Sequence, residues 1–139
     1  MGRYAYRRFV EDNAGDGSIM VVVATDAPLG ERNLRRLAER ALFGVARTGS
    51  SASNGSGDYV MAFSTHADVR RRNTDGPRTI ADLPNGLMSP LFQATIEAAE
   101  EAIYNSMFMA TAVTGHHGTV EPLPLDRVAE ILRKYSVVE

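Results

Sequence analysis

The pair Gly17-Ser18 places a hydroxyl directly after a residue without a side chain, at the head of a short apolar run. If the bond between them is cut, Ser18 becomes an N-terminal residue. Its α-amino group then has a reference pKa of about 7.7–8.0 and can act as a base near neutral pH. That amine sits on the nucleophile's own residue and can accept the hydroxyl proton. Gly17 removes a Cβ from the backbone that an N-to-O acyl shift must strain. Gly-Ser is also an ordinary turn ahead of a strand, so the pair alone leaves both readings open.

A second candidate lies in the loop Gly49-Ser50-Ser51-Ala52-Ser53-Asn54-Gly55-Ser56-Gly57, built almost wholly of small residues, and in Asp58 directly after it. Ser56 and Asp58 stand 38 and 40 positions after Ser18. Two residues apart, they point the same way if the chain is extended there. A hydroxyl and a carboxylate can then reach one site, polarising a nucleophile and holding an ammonium. The bland reading is a flexible linker, but a hydrophobic strand follows at once, which suits a site loop on a rigid scaffold. Other chemistry finds less support. His116-His117 sit on a turn where adjacent side chains diverge, with no flanking carboxylates and no HExxH, so no metal site is expected. Arg70-Arg71-Arg72 reads as a solvated loop, Met107 and Met109 as core filling, and no nucleotide-binding glycine fingerprint occurs.

The elements that must hold these residues are few. Ser18 to Thr25 is short, apolar and β-branched, and predicts a strand buried on both faces. Glu31 to Phe43 carries Leu34, Leu37, Ala38, Ala41 and Leu42 at helical spacing and predicts an amphipathic helix closed by Gly44. Asp58 to Thr65 predicts a second strand, and 66–84 a polar connection. A long helix is expected from about Ser89 to Val113, with Phe92, Ile96, Ala99, Ile103, Met107 and Ala110 in one stripe. Gly115 to Gly118 is a stop and turn, and Leu125 to Tyr135 a last helix. The first seventeen residues are charged and turn-rich. Two strands are too few for a stable sheet. The expectation is therefore a part of a larger α/β core, completed by another chain or belonging to a longer protein.

Composition sets the outer bounds. At 139 residues, 44% hydrophobic and 23% charged, the chain has the profile of about one globular domain. Fifteen basic against seventeen acidic residues leave −2, with no excess for binding nucleic acid. Cysteine is absent, which removes disulfides, thiolate metal sites and a Cys nucleophile. Lys134 is the sole lysine, so no Schiff-base lysine lies in the front half. The uncharged run from Ala102 to Val120 holds Asn, Ser, Thr, Gly and His residues, against a membrane span. The N-terminus lacks the apolar core of a signal peptide, and a cytoplasmic location is the expectation.

Taken together, the motifs resemble a known family. Asp16-Gly17-Ser18-Ile19 running into Val-Val-Val-Ala-Thr-Asp-Ala-Pro-Leu resembles the cleavage-site strand of the DmpA/BapA-type aminopeptidases, the L-aminopeptidase/D-esterases and β-peptidyl aminopeptidases. The likeness continues through Gly44 to Gly49, Asn54-Gly55-Ser56-Gly57-Asp58, Ala62 to Thr65, Glu101 to Ser106, Thr114-Gly115 and Leu123 to Arg127. The resemblance implies an α/β (α+β) fold, part of a four-layer αββα sandwich of the DmpA/ornithine acetyltransferase type. It implies a precursor that cuts itself between Gly17 and Ser18, with the freed Ser18 as nucleophile. By the same analogy Ser56 hydrogen-bonds the nucleophile and Asp58 orients the α-amino group. Some members carry Glu at the acidic position, one methylene longer. Peptides or amino-acid amides with a free amine would be substrates, cleaved through an acyl-enzyme, with no metal or organic cofactor.

The resemblance also divides the chain. Residues 1–17 correspond to a remnant of the α-subunit, and 18–139 to the catalytic β-subunit. Family members have a long α-segment ahead of the cut, which supplies much of the sandwich, oxyanion donors and substrate pocket. A complementary α-subunit segment is therefore the expected partner, within a homo-oligomer of αβ units. Loss of oxyanion donors alone typically costs 10²–10³-fold in rate. Two other readings stand beside this one: an inactive remnant or interaction module, and an ornithine acetyltransferase-like acyltransferase, against which the Ser nucleophile counts because that family uses Thr.

Overall fold

A computed structural model describes residues 17–71, 73 and 76–138; most of the expected α-subunit remnant therefore lies outside the described residues. The β-branched and aromatic runs MVVVAT and YVMAFS form strands β1 (Met20–Thr25) and β2 (Tyr59–Ser64). They pair in parallel, Met20 opposite Tyr59 and Thr25 opposite Ser64. Parallel strands need a crossover, and helix α1 (Glu31–Arg47) provides it.

Helix α1 buries Asn33, Leu37, Ala41, Gly44 and Val45, one stripe at three- and four-residue spacing. Its first residues lack a cap of their own, since Gly30 has no side chain. Asp82 supplies one from the connection after β2. Its Oδ1 accepts from Gly30 N–H at 2.9 Å, and its carboxylate takes Asn33 Nδ2 at 3.1 and 3.3 Å. These donors, chiefly the Gly30 amide and aided by Arg32, hold the Asp82 pKa below its ordinary 3.8.

The expected close at Gly44 is corrected: the helix runs on to Arg47. Gly44 is interior and marks where helix α2 (Met88–Phe108) crosses. A Cβ there would stand 2.6 Å from the Ile96 carbonyl oxygen and 2.7 Å from Ala99 Cβ. The closing glycine is Gly49, at φ +103°, past the cap at Thr48. Leu29, Leu37 and Met88 form the buried centre, with Val23, Leu34, Leu83, Leu91 and Phe92 packed on it. The Arg36 and Arg40 guanidinium groups lie 4.9 and 4.4 Å from the Phe92 ring centre.

The expectation of a strand buried on both faces is corrected. Burial alternates along β1 and β2, because among the described residues only one face carries helices. On the other face Met20, Val22, Tyr59, Met61 and Phe63 are exposed, Tyr59 by 69% and Met61 by 64%. Helix α2 stops five residues before Val113, which instead opens a hairpin. Strands β3 (Val113–Gly115) and β4 (Gly118–Val120) pair antiparallel around His116-His117. Met107 and Met109 are not core filling: Met109 is 78% exposed, since no described element covers that end of α2. Helix α3 (Leu125–Lys134) follows and buries no residue fully, although its apolar side is well formed. Among the described residues, no helix is long and apolar enough to cross a membrane.

Candidate active site

Parallel pairing brings the site together. With Met20 opposite Tyr59, the residues just ahead of both strands lie side by side. Tyr59 N–H donates to the Ile19 carbonyl at 2.9 Å, carrying the pairing one step beyond β1. Ser18 Oγ accepts from Gly57 N–H at 3.0 Å. Asp58 Oδ1 accepts from the Ile19 N–H at 3.3 Å and from the Ser56 hydroxyl at 2.7 Å. Ser56 Oγ is also 2.7 Å from the Gly17 carbonyl oxygen. Thus all four residues singled out in the sequence, Gly17, Ser18, Ser56 and Asp58, meet at one end of the sheet.

The arrangement differs in one respect from the expected network. Among the described residues, the partner of Ser18 Oγ is the Gly57 backbone, and Ser56 reaches Gly17 and Asp58 instead. With residues 17 and 18 joined, there is no α-amino group for Asp58 to hold. Its carboxylate takes the next amide along, that of Ile19. The Gly57 amide was missed in the sequence because a backbone donor has no side-chain signature. The available signal was a glycine between two site residues. A Cβ there would sit 3.3 Å from Ser18 Oγ and 3.6 Å from Tyr59 Cε2, so a larger residue would crowd the hydroxyl.

The loop ahead of Asp58 follows the end of helix α1 and turns back on itself. Ser50 Oγ accepts from Ala52 N–H at 3.2 Å, and Ala52 holds φ +47°, a conformation uncommon for a residue with a Cβ. Leu42, Val45, Ala46, Ser50, Ala52 and Asp58 enclose a cavity of about 110 Å³. The loop thus borders the last turns of the helix, and most of its residues from Gly49 to Gly55 are exposed. Ser18 is exposed, while Ser56, Gly57 and Asp58 are half-buried.

The other candidates lie elsewhere. His116 and His117 do not diverge: their rings meet edge to face at 4.9 Å on the hairpin turn. Among the described residues no three metal-ligating side chains gather. Arg70 donates to the Thr65 carbonyl at 2.9 Å in the connection after β2, and Arg72 lies outside the described residues.

The comparison with known proteins follows this geometry. Residues 2–121 match the profile of peptidase family S58. The chain belongs to that family. The S58 chain is 44% identical over 123 residues to the β-peptidyl aminopeptidase BapA of Sphingosinicella microcystinivorans, covering 87% of this chain and 31% of that protein. Its fold matches a protein of Pyrococcus horikoshii with a TM-score of 0.77 at 43% identity, over 92% of this chain and 36% of that one. It also matches the L-aminopeptidase D-Ala-esterase/amidase of Ochrobactrum anthropi, described as a serine aminopeptidase and a variant of the Ntn hydrolase fold. There the TM-score is 0.67 at 27% identity, covering 84% and 33% of the two chains. The α/β class expected from the sequence is borne out. The S58 chain spans about a third of the length of the relatives it matches.

Proposed function

We propose that this chain is the catalytic portion of a self-processing serine aminopeptidase that acts with a complementary segment. The observation that carries the reading is the meeting of Ser18 Oγ, the Gly57 amide, Ser56 and Asp58 at one strand end. Membership of a peptidase family and likeness to a β-peptidyl aminopeptidase support it. Cleavage after Gly17 would free an amine on Ser18. That amine takes the hydroxyl proton as Oγ attacks an amide carbonyl. Asp58, already bonded to the neighbouring amide, is placed to orient the ammonium that results. Gly57 N–H is a donor that the chain itself supplies beside the nucleophile. The leaving amine departs with a proton, and water then hydrolyses the acyl-enzyme. Substrates are peptides or amino-acid amides with a free N-terminal amine.

The complementary segment is argued from surface. Met20, Val22, Tyr59, Met61 and Phe63 form one continuous apolar sheet face. Faces of this kind are partner surfaces in stable proteins, and a two-stranded sheet needs further strands. The partner is therefore the portion present in the longer relatives, and the assembled αβ units form a homo-oligomer.

The test is the intact mass of the purified chain, expressed alone and with a complementary portion taken from the Sphingosinicella relative. The expected result is a fragment beginning at Ser18, absent in Ser18→Ala. An uncut chain in both preparations, with no amidase activity, would replace this reading with that of a non-catalytic interaction module.

A further inference from the structure

Ser18 opens on to the same side of the sheet as the exposed apolar residues. Side chains alternate along an extended strand, and Ser18 and Met20 are exposed while Ile19 between them is half-buried. Tyr59 is the cross-strand partner of Met20 and shares its face. A Cβ placed at Gly57 would stand 3.3 Å from Ser18 Oγ and 3.6 Å from Tyr59 Cε2. The hydroxyl and the ring edge therefore flank one point, no further apart than those two distances combined. Asp58 is turned the other way, to the helical side, where it borders the cavity lined by Leu42, Val45 and Ala46. The Tyr59 N–H bond to the Ile19 carbonyl, at 2.9 Å, fixes the backbone beneath the ring.

Chain direction settles which half of a substrate meets this pair. The leaving nitrogen takes its proton from the Ser18 amine, and that amine is on the Gly17 side of the residue. The leaving half thus lies off the strand end, and the acyl half lies over the sheet, toward Met20 and Tyr59. Resting on the aminopeptidase reading above, we propose that Met20 and Tyr59 select the side chain of the substrate's first residue, the one that carries the free amine. A carbonyl carbon in position for attack stands about 3–3.5 Å from Oγ, so a side chain that begins one carbon further on reaches the ring edge. Tyrosine offers it a broad apolar wall with few rotatable bonds, and methionine adapts to its shape. A charged side chain would give up its hydration there without a partner, because Met20, Val22, Tyr59, Met61 and Phe63 carry no charge. The complementary segment covers the pocket from above, while its floor belongs to this chain. The residue accepted is therefore aliphatic or aromatic.

Steady-state kinetics of the complemented protein on leucine amide and alanine amide test this. A single methylene in an apolar pocket changes kcat/KM by roughly tenfold or more, so the wild type is expected to favour leucine amide by at least about that factor. Tyr59→Ala is expected to lower the leucine-to-alanine ratio by about tenfold, through the leucine value. Tyr59→Phe keeps the ring and is expected to keep the ratio. Equal losses on both amides in Tyr59→Ala overturn the proposal, because the residue then supports the sheet and does not select. An unchanged ratio overturns it too, as does a wild type that prefers alanine amide. Loss of the ratio in Tyr59→Phe shows that the hydroxyl and not the apolar wall is read, and also overturns it. If Tyr59→Ala fails to take up the complementary portion, Met20→Ala decides by the same ratio. A wild type that hydrolyses neither amide instead removes the aminopeptidase reading on which this rests.

Discussion

The two ends of the β1–β2 sheet are built from the same residue types and arranged to opposite effect. At the C-terminal end, no described hydroxyl has more acceptors than its one proton can serve, and Ser64 Oγ also accepts from His66 N–H at 3.1 Å. Ser64 Oγ donates to the Ala27 carbonyl at 2.6 Å, Thr25 Oγ1 accepts from Ala27 N–H at 3.1 Å, and Thr65 Oγ1 reaches the Thr25 carbonyl at 3.3 Å. These bonds fix the turn into α1, above the buried Leu29–Leu37–Met88 centre. At the N-terminal end, Ser18 is exposed and Ser56 has more acceptors than protons. Open α/β sheets usually bind ligands beyond the carboxyl ends of their strands. Here the hydroxyls of that end are taken up in the turn into α1, and the candidate groups gather at the other. One acceptor per hydroxyl fixes the bond, whereas competing acceptors leave a group free to change it.

Variants at each end should separate the two effects. Ser18→Ala is expected to abolish processing and to lower amide hydrolysis by the complemented protein by on the order of 10⁴-fold or more, as loss of a nucleophile does elsewhere. Its melting temperature should stay near that of the wild type, because Ser18 is exposed. Hydrolysis surviving in this variant would mean that the N-terminal end is not the reactive one. Asp58→Asn comes next. It keeps the shape but removes the charge proposed to orient the ammonium, and a loss of about 10²–10³-fold in hydrolysis is expected within the range for acid–base groups. Steady-state kinetics on an amino-acid amide would check both.

Between the two ends, the helical layer holds the strands in place, and Gly44 tests it. Alanine is the better helix former by about 1 kcal/mol, so Gly44→Ala would stabilise an isolated α1. In the folded chain the new Cβ meets the Ile96 carbonyl at 2.6 Å and Glu100 N at 3.0 Å, both backbone atoms that cannot swing aside. Overpacking of this kind costs about 1–3 kcal/mol. A lower denaturation midpoint is the expected outcome, and an unchanged or higher one would show that α2 does not press on α1 there.

How much of this was legible beforehand differs by region. The hydroxyl and carboxylate groups at 18, 56 and 58 were found from type and spacing, and the parallel register then explains why they meet. The βαβ order was legible because α1 has a strong three- and four-residue stripe. Its end was misplaced because Gly44 reads as a stop in sequence, while in space it is a contact between helices. The hairpin escaped notice because strands of three residues carry almost no periodicity. Met107 and the outer residues of β1, Met20 and Val22, were expected inside, since hydropathy reports what a side chain prefers and not whether a covering layer is present.

The smallest expected effect concerns Asp82, which ties the connection after β2 to the start of α1. Loss of a helix-capping oxygen costs about 1 kcal/mol, so Asp82→Ala should lower stability by about that much without touching the N-terminal end. The same bond carries a pH signature. The Gly30 amide and Asn33 bond the charged carboxylate and pull its pKa below 3.8 in the folded chain. A carboxylate with a depressed folded pKa takes up protons more readily when unfolded. Its contribution is therefore fully present above pH 3.8 and fades as pH falls through the lower folded value. Thermal melts of the wild type and Asp82→Ala should differ at pH 6 and converge as pH falls below the lowered folded value, once both carry an uncharged group there. Because Asp82 is exposed, solvent keeps the effect small. A constant difference across that window would show that the cap acts through its shape alone. Movement of amide hydrolysis in step with it would show that the two ends of the sheet are coupled after all.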